Sequence, residues 1–189
     1  MRGRKRRLKN FEKRAEAFSK LTAAEFWKPS RLETRQITRD DRLIQIGAGK
    51  HKRLTLKRKP WEYERARIDV PILNAYLHKN KIVPECYVLV HVGFSERTGV
   101  QEYFNKPSVN ELLHFLSGGG RYLGKESYFN FKRFIKQPCN KGISYEKLNA
   151  ACNEFAGHNS KATGYSMNNS NIIVLGQNRD GKIRLAIVD

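Results

Sequence analysis

Residues 119–126 run Gly-Gly-Arg-Tyr-Leu-Gly-Lys-Glu, which is the G-x-x-x-x-G-K spacing of a loop that cradles nucleotide phosphates in its backbone N–H groups. The match ends at Glu126, because the position after the lysine must offer a Ser or Thr hydroxyl to Mg²⁺. The segment also follows a helical pattern, whereas that loop follows a strand. Nucleotide hydrolysis is therefore not expected. What remains is a glycine-rich helix stop beside two cations, Arg121 and Lys125, where exposed N–H groups could receive a phosphate.

The next stretch, Tyr128 to Lys136, interleaves aromatic rings with Lys132, Arg133 and Lys136. Single-stranded nucleic acid is held by that chemistry, rings stacking on bases while cations follow the phosphates. Tyr128, Phe131, Phe134 and Ile135 also recur at helical spacing, so the rings read as a core stripe and the cations as its outer, phosphate-facing side.

Other reactive residues do not assemble. Cys139, Cys152 and His158 are separated by 12 and 5 residues and Cys86 lies far away, so the close cysteine pair of a structural zinc site is missing. Cys152 fits an apolar helix face. Asp180-Gly-Lys182 matches an acid-x-Lys fragment, but a tight turn already accounts for it. His91 sits among valines and His51 in a basic turn, neither with a carboxylate placed to orient it as a base. The sequence assigns no catalytic residue, no metal and no cofactor.

Charge is the dominant signal. The 189 residues carry 37 Lys and Arg against 18 Asp and Glu, a net of +19. Residues 1–67 hold 22 basic and 8 acidic side chains, and residues 68–189 hold 15 and 10. A like-charged block gains nothing by being left alone, so its natural partner is a polyanion. The expected phosphate contacts are Arg2, Arg4, Lys5, Arg6, Arg7, Lys50, Lys52, Arg53, Lys57, Arg58 and Lys59, joined by Arg121, Lys125, Lys132 and Arg133. No apolar run approaches the ~18 residues of a membrane span, the basic N-terminus has no apolar segment behind it, and the cysteines are few and unpaired. An intracellular protein is expected, in cytoplasm or nucleoid, or in the nucleus of a eukaryote.

The elements that must position these residues follow from pattern. Phe11, Ala15, Phe18, Leu21 and Trp27 trace a helix from a cap at Asn10 to Lys28-Pro29. Ser30-x-x-Glu33 fits a capping box and predicts a second short helix. Residues 42–56 read as a hairpin about Gly47–Gly49, a ribbon able to enter a nucleic-acid groove. Beyond Ile68, a helix over 71–78 capped by Asp69 precedes a hairpin of Tyr87–Phe94 with Val100–Phe104. A capping box at Ser108–Glu111 opens a helix to Leu116, and further helices are expected over 125–137 and over 144–156, the last stopped by Gly157. A final hairpin joins 172–175 to 183–188 across Asn178–Gly181.

The expected architecture is α+β: an antiparallel sheet of two hairpins with three or four helices over 68–189, behind a basic helix-plus-hairpin extension over 1–67. The expected function is nucleic-acid binding without catalysis, RNA ahead of DNA, within a nucleoprotein assembly that includes protein partners or self-assembly. Two other classes stand beside it: a nuclease or strand-transfer enzyme of a phage or mobile element, and a genome-packaging structural protein.

Overall fold

The computed structural model describes residues 10–20, 32–36, 43–47, 54–56, 64–95, 98, 100–102, 104, 106–119 and 131–188. In chain order they form helix α1 (10–20), strands β1 (Leu32–Gln36), β2 (Leu43–Gly47) and β3 (Leu54–Leu56), helix α2 (Glu64–Lys79), strands β4 (Tyr87–Leu89), β5 (Phe94–Ser95) and β6 (Val100–Glu102), helices α3 (Val109–Leu116), α4 (131–135) and α5 (Tyr145–Thr163), and strands β7 (Ile172–Gln177) and β8 (Ile183–Ile187). The fold is α+β. The chain divides into two compact units, one of residues 1–62 with 92–104 and one of 63–91 with 105–189. The expected single cut at 67/68 is thus replaced by an exchange, because residues 92–104 leave the second unit to complete the first.

In the first unit five strands form one antiparallel sheet in the order β1-β2-β3-β6-β5. The expected β2–β3 hairpin is present, with Gln45 opposite Leu56 and Ile46 opposite Thr55. The expected helix at Ser30–Glu33 is instead β1, whose five residues pair with β2 from Leu32–Gly47 to Gln36–Leu43. A capping box describes one turn only, and a full strand ladder outweighs it. Phe11, Ala15 and Phe18 recur four and three residues apart, so one face of α1 is buried, and it packs with Val100 of β6. At the root of the β5–β6 hairpin, Gly93 N–H donates to the Glu102 carboxylate (2.9 Å) and Glu102 N–H to the Gly93 carbonyl (2.8 Å).

In the second unit the sheet order is β4-β8-β7, with β4 parallel and β7 antiparallel to β8. Tyr87–Leu89 and Phe94–Ser95 therefore do not form one long strand, as the alternation suggested. They serve different sheets, and the two C-terminal hairpins do not meet in a single one. Tyr87, Ile172, Val174, Ile183, Leu185 and Ile187 alternate onto one sheet face. Against them lie Val70, Leu73 and Leu77 of α2, Val109 and Leu112 of α3, Phe131 and Phe134 of α4, and Leu148, Ala151, Cys152 and Phe155 of α5.

Local chemistry sets the element ends. The Ser108 hydroxyl accepts from Glu111 N–H (3.2 Å) while Ser108 N–H donates to the Glu111 carboxylate (2.8 Å), completing the expected box. Helix α2 begins earlier than expected, at Glu64, which leaves Asp69 buried within it and Pro71 in its interior. Helix α5 runs through Gly157 and stops at Gly164, whose φ of +81° is the left-handed conformation of a helix stop. Gly157 has nothing within 4 Å of where a Cβ would stand, and its helical cost of ~1 kcal/mol is outweighed by the burial of Leu148, Ala151, Cys152 and Phe155 on the same helix. Between Val174 and Gly176 the β7–β8 register shifts, and Gly176 takes φ +118° with the Asn140 Oδ1 only 2.5 Å from the Cβ that another residue would carry. Asn140 is fully buried there and donates to the Phe134 carbonyl (2.9 Å), which ties the end of α4 to the bulge.

The two glycines should respond to alanine with opposite signs. Gly157→Ala is expected to stabilise the protein by about 0.5–1 kcal/mol, and Gly176→Ala to destabilise it by roughly 2 kcal/mol or more. Urea unfolding of both variants measures this, and equal effects would show that the bulge is not under the stated constraint.

Candidate nucleic-acid interface

The cations of the sequence reading fall unevenly on the described structure. Arg2, Arg4, Lys5, Arg6, Arg7, Lys50, Lys52, Arg53, Lys57, Arg58, Lys59, Arg121 and Lys125 lie outside the described residues. Lys132 and Arg133 are described, both exposed on α4. Lys136 N–H donates to the Lys132 carbonyl (3.1 Å), so the helical turn continues to Lys136. At 100° per residue, Lys132, Lys136 and Arg133 share one arc of the helix, while Phe131, Phe134 and Ile135 share the opposite one. Burial follows that division, with Phe131 and Phe134 in the core and the three cations exposed. The ring-and-cation stretch is thus a core stripe with a basic outer face.

Sequence reasoning missed Lys106. Its Nζ lies 5.1 Å from the centroid of the Phe134 ring, a cation–π contact between residues 28 positions apart. The neighbouring backbone is fixed by the sheet, since Val174 N–H donates to the Pro107 carbonyl (2.9 Å) and Ser108 bridges to Ile173.

Most acidic side chains of the described residues accept hydrogen bonds. Glu12 accepts from the Ser95 hydroxyl (2.8 Å), Glu102 from Gly93 N–H, and Glu111 from Ser108. Glu154 accepts from both Glu85 N–H and Cys86 N–H at 2.7 Å, and Asp180 from the Asn178 amide (3.2 Å). At the start of α5, Glu146's own backbone N–H and the Ser144 hydroxyl hold its carboxyl below the usual range. Between described residues an ion pair forms at Lys20–Glu16 (3.4 Å), an exposed i,i+4 pair. Lys13, Arg14, Arg133, Lys136, Lys141 and Lys161 are exposed, and none has a carboxylate within ion-pairing distance among the described residues. Among the described residues these cations therefore stand without an ion-pairing acid.

The remaining candidates for chemistry are explained by structure. Gly119 stands against the His114 ring so closely that a Cβ would collide with it, just past the end of α3. The glycines at 118–119 thus belong to a helix stop. Asn74 Nδ2 and His91 Nε2 lie 3.2 Å apart. The Tyr87 hydroxyl, at the start of β4, meets His158 Nδ1 of α5 at 3.0 Å, and Glu154 stands one turn before His158. Burial, and then the Glu154 carboxylate, push the Tyr87 phenol above its ordinary range. Burial raises the Cys86 thiol as well, with Glu154 adding to it, and burial alone pushes Cys152 up to about 12. Both thiols are held as thiols, the opposite of what a nucleophile or metal ligand needs. Among the described residues no three His, Cys, Asp or Glu side chains converge into a group that could hold a metal ion. Among them, too, no helix is long and apolar enough to cross a membrane.

Comparison with protein-family models, with curated proteins and with solved structures finds no match to this chain.

The raised thiol of Cys152 links stability to alkaline pH. Its folded pKa lies above the unfolded value, so its contribution is complete below about pH 9 and is lost as pH rises toward about 12. The urea midpoint of the native chain should therefore fall more between about pH 8 and about pH 10.5 than that of Cys152→Ala. Parallel declines in the two proteins would remove Cys152 as the cause.

Proposed function

We propose that the chain is a non-catalytic nucleic-acid-binding protein, with RNA ahead of DNA as its partner, acting in the cell as part of a nucleoprotein assembly. The observation that carries this reading is the excess of basic over acidic side chains in each unit. Both units retain a surplus: 21 basic against 9 acidic residues in 1–62 with 92–104, and 16 against 9 in the rest. Exposed cations that no carboxylate neutralises are free to exchange small counterions for phosphates, and the release of those ions drives binding. The first unit, with the larger surplus and the arginine-rich segment 2–7, supplies affinity that does not depend on sequence; the second supplies shape or a partner surface.

The test uses the whole chain, because a cut at 67/68 would take β3 from β6 and α1 from Val100. Binding to duplex DNA, single-stranded DNA and structured RNA is measured across a salt series with Mg²⁺ present, for the native protein and for Arg4→Gln/Lys5→Gln/Arg6→Gln/Arg7→Gln. With roughly 6–10 phosphate contacts, native affinity should fall by about 10³–10⁵ between about 50 and 200 mM salt, and the variant should lose about 3 units of log–log slope. Affinity that ignores salt would overturn the proposal, and cleavage of the nucleic acid would replace it with a nuclease.

A further inference from the structure

We infer that the second unit carries its own phosphodiester-binding strip, made of Lys132, Arg133 and Lys136 on α4 together with Lys106. This rests on the nucleic-acid reading above and assigns a contact surface within it, one that needs nothing from the arginine-rich N-terminus.

Three observations converge on this strip. The α4 cations fall within one helical arc and are exposed, and their opposite face is locked in the core by Phe131 and Phe134. Arg133 and Lys136 have no carboxylate within ion-pairing distance among the described residues. Lys106 Nζ stands over the Phe134 ring, and among the described residues no acid pairs with it, so the contact orders the cation while its charge remains whole. A ring attracts a cation through its quadrupole and neutralises nothing, unlike a carboxylate at the same place.

Rigidity strengthens the case. Asn140 fastens the Phe134 carbonyl, and β7 fastens the backbone beside Lys106, so α4 and the backbone that carries Lys106 are tied to the same core. Cations ordered before binding lose less freedom when a partner arrives. A repeating anion suits such a row. Each cation can take one phosphate oxygen, and Arg133 can take two through its planar fork. Contacts of this kind fix the register of a backbone and do not read bases, so the strip is expected to tolerate any sequence.

The experiment compares four full-length proteins: native, Lys132→Gln/Arg133→Gln/Lys136→Gln, Lys106→Met, and Lys79→Gln/Arg179→Gln/Arg184→Gln. Methionine keeps the stem of Lys106 on the Phe134 ring while removing the charge, and the last variant loses as much charge as the α4 variant from scattered positions. Circular dichroism confirms that each is folded. Affinity for duplex DNA, single-stranded DNA, structured RNA and phosphatidylserine vesicles is then followed against salt. The expected result is a log–log slope shallower by about 2–3 in the α4 variant and by about 1 in Lys106→Met, with the scattered variant unchanged. The favoured nucleic acid among the three identifies whose phosphodiester backbone the strip holds. A native slope in the α4 variant overturns the inference, as does an equal loss in the scattered one. Strip-dependent binding to vesicles alone assigns the surface to a membrane and overturns it too. If the native chain shows no salt-dependent binding to any nucleic acid, the proposed function itself has failed. Should the α4 variant not fold, Arg133→Gln and Lys136→Gln singly, each shallower by about 1, decide the matter.

Discussion

Backbone N–H groups at chain turns must find acceptors, and in this protein carboxylates supply many of them. Glu154 holds the two N–H groups that lead into β4, Glu111 closes the cap of α3, and Glu102 secures the root of the β5–β6 hairpin. A carboxylate in such a place does more than pair a donor. It fixes the angle at which a strand or helix begins, and the core depends on those angles. The net charge of +19 is set by the composition, and the fold fixes only where the individual charges stand.

The second constraint is the exchange of residues 92–104. The chain enters the second unit at residue 63, leaves it after His91 to add β5 and β6 to the first sheet, and returns at residue 105. Strand β6 pairs with β3, 46 positions earlier by the Leu54–Glu102 partners set 48 apart at one end and Leu56–Val100 set 44 apart at the other. Strand β4 waits for β8, almost a hundred positions later. Such pairings incur loop-closure entropy before they return any contact. Local devices compensate: the Ser108 box, the Ser144 cap and the Asn178–Gly181 turn each commit a short segment before its distant partner arrives.

What was legible in the sequence follows the same division between local and distant. The Ser108-x-x-Glu111 box, the β2–β3 and β7–β8 hairpins and the buried face of α5 are set by residues a few positions apart, and each is found where pattern put it. The parallel pairing of Tyr87–Leu89 is not, since alternation reveals a strand and its faces but not its neighbour. Ser30-x-x-Glu33 had the letters of a cap but lies at a strand with a full ladder beside it. Gly157 and Gly164 look alike in sequence; only the continuation of the buried face through Asn159 tells which one ends the helix. The exposure of Lys132 and Arg133 was legible because helical spacing put the rings opposite them, whereas Lys106 reaches Phe134 through a path that no spacing rule encodes.

Salt separates the effect of this charge on folding from the phosphate contact proposed for it. In the free protein a net of +19 pushes like charges together as the chain compacts, so screening relieves the folded state. In a complex the same ions compete with the protein for phosphates and weaken it. A charge excess that served solubility alone would show the first effect without the second. The cations argued to matter most are those whose surroundings already fix them. Lys106 on its ring and the α4 row on its aromatic core need little rearrangement to meet a phosphate, whereas an unattached lysine of equal charge must first be ordered. The core that orders the Phe131 and Phe134 rings is thus what turns a general excess of charge into a particular surface.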